Sequence, residues 1–271
     1  MALTILITGS TDGIGLETAK LLVAQGHRVL LHGRNPEKLA AVENTLANLT
    51  NGGPVESYVA DLSRISDVEG LAKEVTERHP SLDVLINNAG VFKTADPITE
   101  EGLDVRFIVN TIAPYLLTQK LMPLMRDTSR VINLSSAAQA PVDTQALSGK
   151  THIPEAFTAY AQSKLALTMW SRSMALTLKG KGPMIVAINP GSMLGTKMVK
   201  DGFGVSGGDI AIGAEILTRA ALSEEFEKAS GLYFDNDAKQ FSSPHADALD
   251  AQKSETIVNA IESILKKITG N

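Results

Sequence analysis

The chain has 271 residues, 44% of them hydrophobic and 20% charged, with a formal net charge of -5 and no cysteine. That length and balance suit one large soluble α/β domain, and the mild acidity leaves no electrostatic footprint for nucleic acid or an anionic membrane surface. Disulfides, thiolate metal sites and a cysteine nucleophile are excluded.

Leu3–Thr8 reads as a strand and Ile14–Ala24 as a helix with apolar positions at Leu16, Ala19, Leu22 and Val23. The next strand spans Arg28–His32, and Pro36, well placed at a helix N-terminus, opens the helix after it. Glu56–Ala60 is a third strand, Val68–Glu77 a helix, and Val84–Ile86 a short apolar strand running into Asn87-Asn88-Ala89-Gly90. Leu103–Met125 reads as mostly helical, Arg130–Leu134 as a strand, Ala156–Lys179 as a long helix and Met184–Ile188 as a strand. Gly231–Phe234 supplies a last strand and Thr256–Ile268 a closing helix. Strand–helix alternation with nearly continuous apolar strands predicts a parallel sheet covered on both faces. The stretches 137–155 and 196–210 break this rhythm and are expected to wall a substrate site at the carboxyl ends of the strands, unless they are plain surface loops. No apolar run approaches the ~20 residues that span a bilayer. The first strand begins too early to leave room for a signal peptide, so the expected location is cytoplasmic.

Three motifs carry chemistry. Thr8-Gly9-Ser10-Thr11-Asp12-Gly13-Ile14-Gly15 joins the first strand to the first helix. Gly9 permits the turn, Gly13 lets backbone approach a pyrophosphate, Gly15 lets helix pack on strand, and the helix N-terminus offers free N–H groups to phosphate. Its spacing differs from the G-x-G-x-x-G fingerprint, so a merely structural turn is the alternative. Tyr160 and Lys164, four residues apart, share one helix face, where a fixed ammonium favours the phenolate and brings the phenol toward working pH. Ser135 and Ser136 follow a strand, with no histidine motif or nucleophile elbow that would make either a nucleophile.

With Asn110 and Asn189-Pro190-Gly191, these motifs stand in the order of the short-chain dehydrogenase/reductase family, which residues 3 to about 198 resemble. The long gap from Ser136 to Tyr160 and the Gly33-Arg34-Asn35 run are similar to its retinol-dehydrogenase-like branch. The resemblance implies one Rossmann-type, doubly wound domain over residues 1–271, with a mostly parallel central sheet of about seven strands. It implies NAD(P)-dependent interconversion of a carbonyl and an alcohol. Tyr160 is then the general acid/base, Ser136 positions the substrate oxygen, Lys164 tunes Tyr160 and bonds the nicotinamide ribose, and Asn110 anchors a proton-relay water. The cofactor is expected on Gly9, Ser10, Asp12, Gly13, Ile14, Gly15, Arg34, Asp61, Leu62, Asn88, Gly90, Tyr160, Lys164, Pro190, Gly191 and Thr196.

Gly33 stands where NAD-preferring relatives carry Asp, and Arg34 is suited to a 2′-phosphate, so NADP(H) is expected before NAD(H). Asp12 is a counter-signal, because NADP-binding relatives often carry a base there. Asp61 has a helix cap as its alternative, as has Ser63. Asn87 is expected to brace the sheet. An extra residue between Gly191 and Thr196 leaves the reach of Thr196 open.

The expected substrate is an apolar carbonyl or alcohol, with Phe92, Val142, Met193 and Met198 as candidate walls. A homodimer or homotetramer is the expected assembly, paired through the tyrosine helix, where Leu165, Met169 and Trp170 serve an interface or the core. A non-catalytic NADP sensor and a nucleotide-sugar epimerase are the alternatives from other classes. No metal site is expected: His27, His32, His79, His152 and His245 lack ligand spacing and read as surface or loop residues.

Overall fold

A computed structural model of the chain describes residues 2–270; Met1 and Asn271, the outermost residues of the expected 1–271 domain, lie outside them. The elements run β1 (Thr4–Ile7), α1 (Gly13–Ala24), β2 (Arg28–Gly33), α2 (Pro36–Ala47), β3 (Val55–Val59), α3 (Ile65–Arg78) and β4 (Val84–Asn87). Next come α4 (Val105–Phe107), a π-helical segment Ile108–Ile112, α5 (Ala113–Leu121), β5 (Arg130–Leu134), α6 (Thr144–Leu147), α7 (Ala156–Leu178) and β6 (Met184–Asn189). The chain closes with α8 (Lys197–Phe203), α9 (Ala211–Leu222), β7 (Tyr233–Asp235), β8 (Gln240–Ser242), α10 (Ala246–Leu249) and α11 (Ala251–Thr269).

One sheet of eight strands results, in the order β3-β2-β1-β4-β5-β6-β7-β8. Every pairing is parallel except β7 with β8. The eighth strand exceeds the seven expected: three residues long and partly exposed, Gln240–Ser242 forms because β7 offers it an antiparallel edge. Strand order reverses between β1 and β4, and the crevice at that switch point is the ligand position of open α/β sheets.

Both faces are covered, which is why the central strands β1, β4 and β6 are almost wholly buried and apolar, while the edge strands β3 and β8 carry polar residues. Ala19, Leu22 and Val23 of α1, Leu39 and Leu46 of α2, and Ile216 and Leu217 of α9 bury one face. On the other, α3, α5 and α7 pack against the sheet, and the amphipathic α11 lies outside them with Ile257, Ile261, Ile264 and Leu265 turned inward. Tyr115 donates to Glu262 across this layer at 2.7 Å, and Trp170 meets the Tyr115 ring edge-on at 5.4 Å. Leu165, Met169 and Trp170 thus belong to the core of this chain rather than to an exposed face of the tyrosine helix.

His32 is the main departure from the expected surface histidines. It is 3% exposed at the end of β2. Its Nδ1 accepts from the Gly9 N–H at 3.1 Å and its Nε2 lies 3.1 Å from the Ala60 carbonyl, which assigns the proton to Nε2. The neutral ring therefore ties the glycine loop to β2 and to the end of β3, and burial pushes its pKa down to about 4.

An unfolded histidine takes its proton near 6.5, so between pH 6.5 and 4 the unfolded chain binds more protons and stability falls as pH falls. The expected loss across that window is about 3 kcal/mol. Urea unfolding at pH 7 and pH 4 measures it. His32→Gln, which keeps a donor and an acceptor without titrating, should lose that part of the pH dependence.

Candidate active site

The carboxyl ends of β1, β2, β3, β4, β5 and β6 open onto one cleft of about 1710 Å³. Its floor begins with the glycine loop. Gly9 and Gly13 hold left-handed φ values of 65° and 57°. A Cβ on Gly15 would lie 2.4 Å from the Gly9 carbonyl oxygen and from Asn88 Nδ2, so helix and strand touch there as expected. A Cβ on Gly13 would touch the Thr196 methyl at 3.7 Å, so that side chain packs over the loop. Asp12 and Ile14 face the cleft. Ser10 does not: it is fully buried, and its hydroxyl accepts from the His32 N–H at 2.9 Å.

Asn88 is consumed as a brace. Its Nδ2 donates to the carbonyls of Thr8 and Gly9 at 2.9 Å each, pinning the loop and leaving Ala89 and Gly90 to meet a ligand by backbone. Asn87, buried beneath, donates to Asn133 at 2.8 Å and to Thr118 at 3.2 Å, the bracing role expected of it.

Arg34, Asp61 and Leu62 line the far end of the cleft. Asp61 caps no helix: its Oδ1 accepts from the Ser63 N–H at 3.0 Å and the Ser63 hydroxyl at 2.8 Å, while α3 starts behind Arg64. These bonds and the charges of Arg34 and Arg64 outweigh burial and hold its carboxyl below the usual range. Gly33 is bare for a packing reason, since a Cβ there would stand 2.6 Å from the Thr11 methyl.

The reacting end lies on α7, β5 and the helix after β4. Lys164 is 4% exposed and its Nζ donates to the Leu134 carbonyl at 2.7 Å, 5.7 Å from the centre of the Tyr160 ring. Burial pushes this ammonium down to about 8, so it is mostly protonated at pH 7. Burial pushes the Tyr160 phenol up, and the neighbouring Ser136 hydroxyl opposes that. Burial is the dominant influence on the phenol, and its resting form is neutral.

Ser136 faces the cleft, while Ser135 turns inward to Thr168 at 2.7 Å. The Ser136 carbonyl is held from two sides, by Gln139 Nε2 at 2.9 Å and the Tyr233 hydroxyl at 3.1 Å.

Asn110 sits in the π-helical segment. Pro114, four residues on, brings no N–H to its carbonyl, and the ladder slips so that Ala113 donates to Ile108. The Asn110 side chain is fully engaged: Oδ1 accepts from the Val91 N–H at 2.8 Å, and Nδ2 donates to the Val91 carbonyl and the Ser163 hydroxyl, each at 2.9 Å. It locks the Gly90–Val91 backbone to α7 under the cleft, and a Cβ on Gly90 would lie 3.4 Å from its Oδ1 and 3.5 Å from Lys164 Nζ.

The extra residue after β6 is absorbed locally. Met193 adopts a left-handed φ of 55°, its carbonyl accepts from the Gly208 N–H at 2.8 Å, and Gly195 donates back to Gly208 at 2.7 Å. Thr196 is thereby returned to the glycine loop, with its hydroxyl capping α8 at the Val199 N–H. Pro190 and Gly191 line the same wall. The β7–β8 turn secures them: Asn236 donates to the Pro190 carbonyl at 2.9 Å and Asp237 accepts from the Ser192 N–H at 2.8 Å.

Of the two stretches expected to wall a substrate site, 196–210 lines the cleft and 137–155 barely reaches it. Within 137–155 only Ala138 lines the large cleft; Val142, Ala146, Leu147 and Ile153 spend their apolar surface on the core instead. The wall comes from Val91–Glu101 and from α8. Phe92, expected there, meets Tyr160 at 5.2 Å between ring centroids and Phe203 of α8 at 5.3 Å, and Phe157 completes the aromatic group. Met193 and Met198 line the cleft as expected. The cations Lys38 and Arg64 at the far end escaped the sequence reading. Among the described residues, no group of three or more His, Cys, Asp or Glu is placed to hold a metal ion, and no helix is long and apolar enough to cross a membrane.

A short chain dehydrogenase family model matches residues 3–203. Human retinol dehydrogenase 13 is 30% identical over 262 residues, 90% of this chain and 79% of that protein. Among solved structures, an uncharacterized protein from Mycobacterium paratuberculosis superposes with a TM-score of 0.81 at 25% identity, over 97% of this chain and 93% of that one. A metagenomic short-chain oxidoreductase in complex with NADP does so with a TM-score of 0.63 at 30% identity, over 81% of this chain and 90% of that one. The chain belongs to the short-chain dehydrogenase family, in its retinol-dehydrogenase-like branch, and is an NAD(P)-dependent oxidoreductase.

Proposed function

We propose that the chain is an NADP(H)-dependent reductase of apolar carbonyl compounds, running in reverse as an alcohol dehydrogenase, with Tyr160 as the proton donor. One observation carries this reading: the Tyr160 phenol and Ser136 line one dinucleotide-sized cleft together with a buried ammonium, Lys164, and an aromatic wall. The residues fit the cofactor. Gly9, Gly13 and Thr196 line the cleft where a pyrophosphate would meet the start of α1, Gly90 and Lys164 line it where the nicotinamide ribose would lie, and Arg34 lines its far end beside a Gly33 that offers no carboxylate to a ribose hydroxyl. When bound, NADPH supplies the hydride.

The chain's own part is the proton. The Ser136 hydroxyl holds the carbonyl oxygen against Tyr160, whose Oη gives up its proton as negative charge develops on that oxygen. The phenolate left behind is stabilised by Ser136 and the Lys164 ammonium, which returns a proton to it and takes one in turn from solvent. Asn110 acts as a brace that fixes the Gly90 backbone beside Lys164. Phe92, with the part-exposed Phe157 and Phe203 at the mouth, offers an apolar substrate body its contact surface.

Incubating the protein with NADPH or NADH and a panel of aldehydes, ketones and quinones tests the reading by cofactor oxidation at 340 nm. Turnover of apolar carbonyls, faster with NADPH, is the expected result. Tight NADPH binding without turnover of any carbonyl would favour the sensor alternative.

A further inference from the structure

The far end of the cleft holds a pair of charges that the roles above do not use. Asp12 places a carboxylate inside a phosphate-binding loop, where its own charge opposes the ligand. Its Oδ1 accepts from the Gly13 N–H at 2.8 Å, and its Oδ2 accepts from Lys38 Nζ, also at 2.8 Å. The Lys38 ammonium is the main reason the Asp12 carboxyl sits below its usual range. Lys38 is fixed at the start of α2, where its N–H caps onto Asn35 Oδ1 at 2.8 Å, one turn beyond Arg34. Both side chains of the pair are about half exposed, 49% for Lys38 and 58% for Asp12, so the bridge itself is weak and its partners exchange readily. Arg34, Lys38 and Arg64 line the same end of the cleft.

We infer that Lys38 is a second cation for the adenosine 2′-phosphate, beside Arg34, and that Asp12 is the carboxylate that competes with that phosphate for it; the inference rests on the NADP(H) reading above. A phosphate carries up to two negative charges and three acceptor oxygens, and draws Lys38 away from a singly charged, solvated carboxylate. A cofactor without that phosphate leaves the Asp12–Lys38 pair as it stands and gains nothing from Lys38. Asp12 thereby ceases to contradict an NADP(H) site: the base that relatives place in the loop reaches the same place here from α2, across the chain's own salt bridge.

Calorimetric titration with adenosine 2′,5′-bisphosphate and with 5′-AMP tests this without turnover. The native protein should bind the bisphosphate more tightly. Lys38→Met should weaken bisphosphate binding about tenfold, the scale of one charge-assisted hydrogen bond, and leave 5′-AMP unchanged. Lys38→Arg should keep most of the difference, and Asp12→Asn, which removes the competing charge, should strengthen bisphosphate binding severalfold. If Arg34→Met loses the preference and Lys38→Met keeps it, the role of Lys38 is overturned while the NADP(H) reading stands. If the native protein binds both ligands equally, the NADP(H) reading itself fails and the role of Lys38 falls with it.

Discussion

Replacing Tyr160 by Phe is expected to reduce carbonyl turnover by at least about 10³-fold while leaving NADPH affinity within a factor of about three. The substitution removes one oxygen and keeps the ring, whose edge contact with Phe92 at 5.2 Å is an apolar one. What disappears is the phenol proton, on a side chain that lines the cleft beside Ser136. Single-turnover oxidation of bound NADPH reads the chemical step, and cofactor fluorescence titration reads binding. Retained turnover would assign the proton to another group and sink the mechanism; a loss of NADPH binding of the same size would make Tyr160 a cofactor ligand rather than an acid.

Lys164→Met should separate activity from stability in the opposite sense. The native ammonium is nearly inaccessible, and its pKa lies at about 8 against 10.5 when unfolded. Because the folded value is the lower one, the unfolded chain binds more protons between those limits. Stability therefore rises with pH across the window, and the full cost of burying the charge, about 3 kcal/mol, is present below pH 8. Methionine removes that cost and fills similar volume, but it strands the Leu134 carbonyl that now accepts at 2.7 Å, a loss of about 1–3 kcal/mol. The two nearly cancel, so at pH 7 the unfolding free energy should change by less than about 2 kcal/mol. Turnover should fall about 10³-fold, since the phenolate formed by Tyr160 loses both its counter-charge and its proton source. Denaturant unfolding and carbonyl turnover on the same preparation measure the two effects. A variant that unfolds at pH 7 would show Lys164 to be a structural residue first.

What could be read in the sequence follows the range of the interactions. The strands are legible because burial on both faces makes each a short apolar run, and the glycine loop because Gly9 and Gly13 need left-handed backbone. Tyr160 and Lys164 are legible because one helix turn sets their spacing. The rest depends on meetings between distant segments. Lys38 reaches Asp12 across 26 positions, and nothing local distinguishes it from any solvated lysine. His32 looks like a loop residue until Gly9 and Ala60 are seen on its two nitrogens. The stretch 137–155 breaks the rhythm and so looks like a substrate wall, but Ala146 and Leu147 are core residues. The wall that does form, around Phe92 and Phe203, joins segments on either side of the tyrosine helix. α8 was hidden for another reason: none of its seven residues is buried, so it shows no apolar period.

α11 is the last of the described elements in the chain, yet it covers the layer containing α7. The Tyr115 hydroxyl is tied to it through Glu262, and Met169 and Trp170 share one buried cluster with its Ile257, Ile261, Ile264 and Leu265. The helix that carries Tyr160 and Lys164 thus takes its outer cover from residues far from it in sequence.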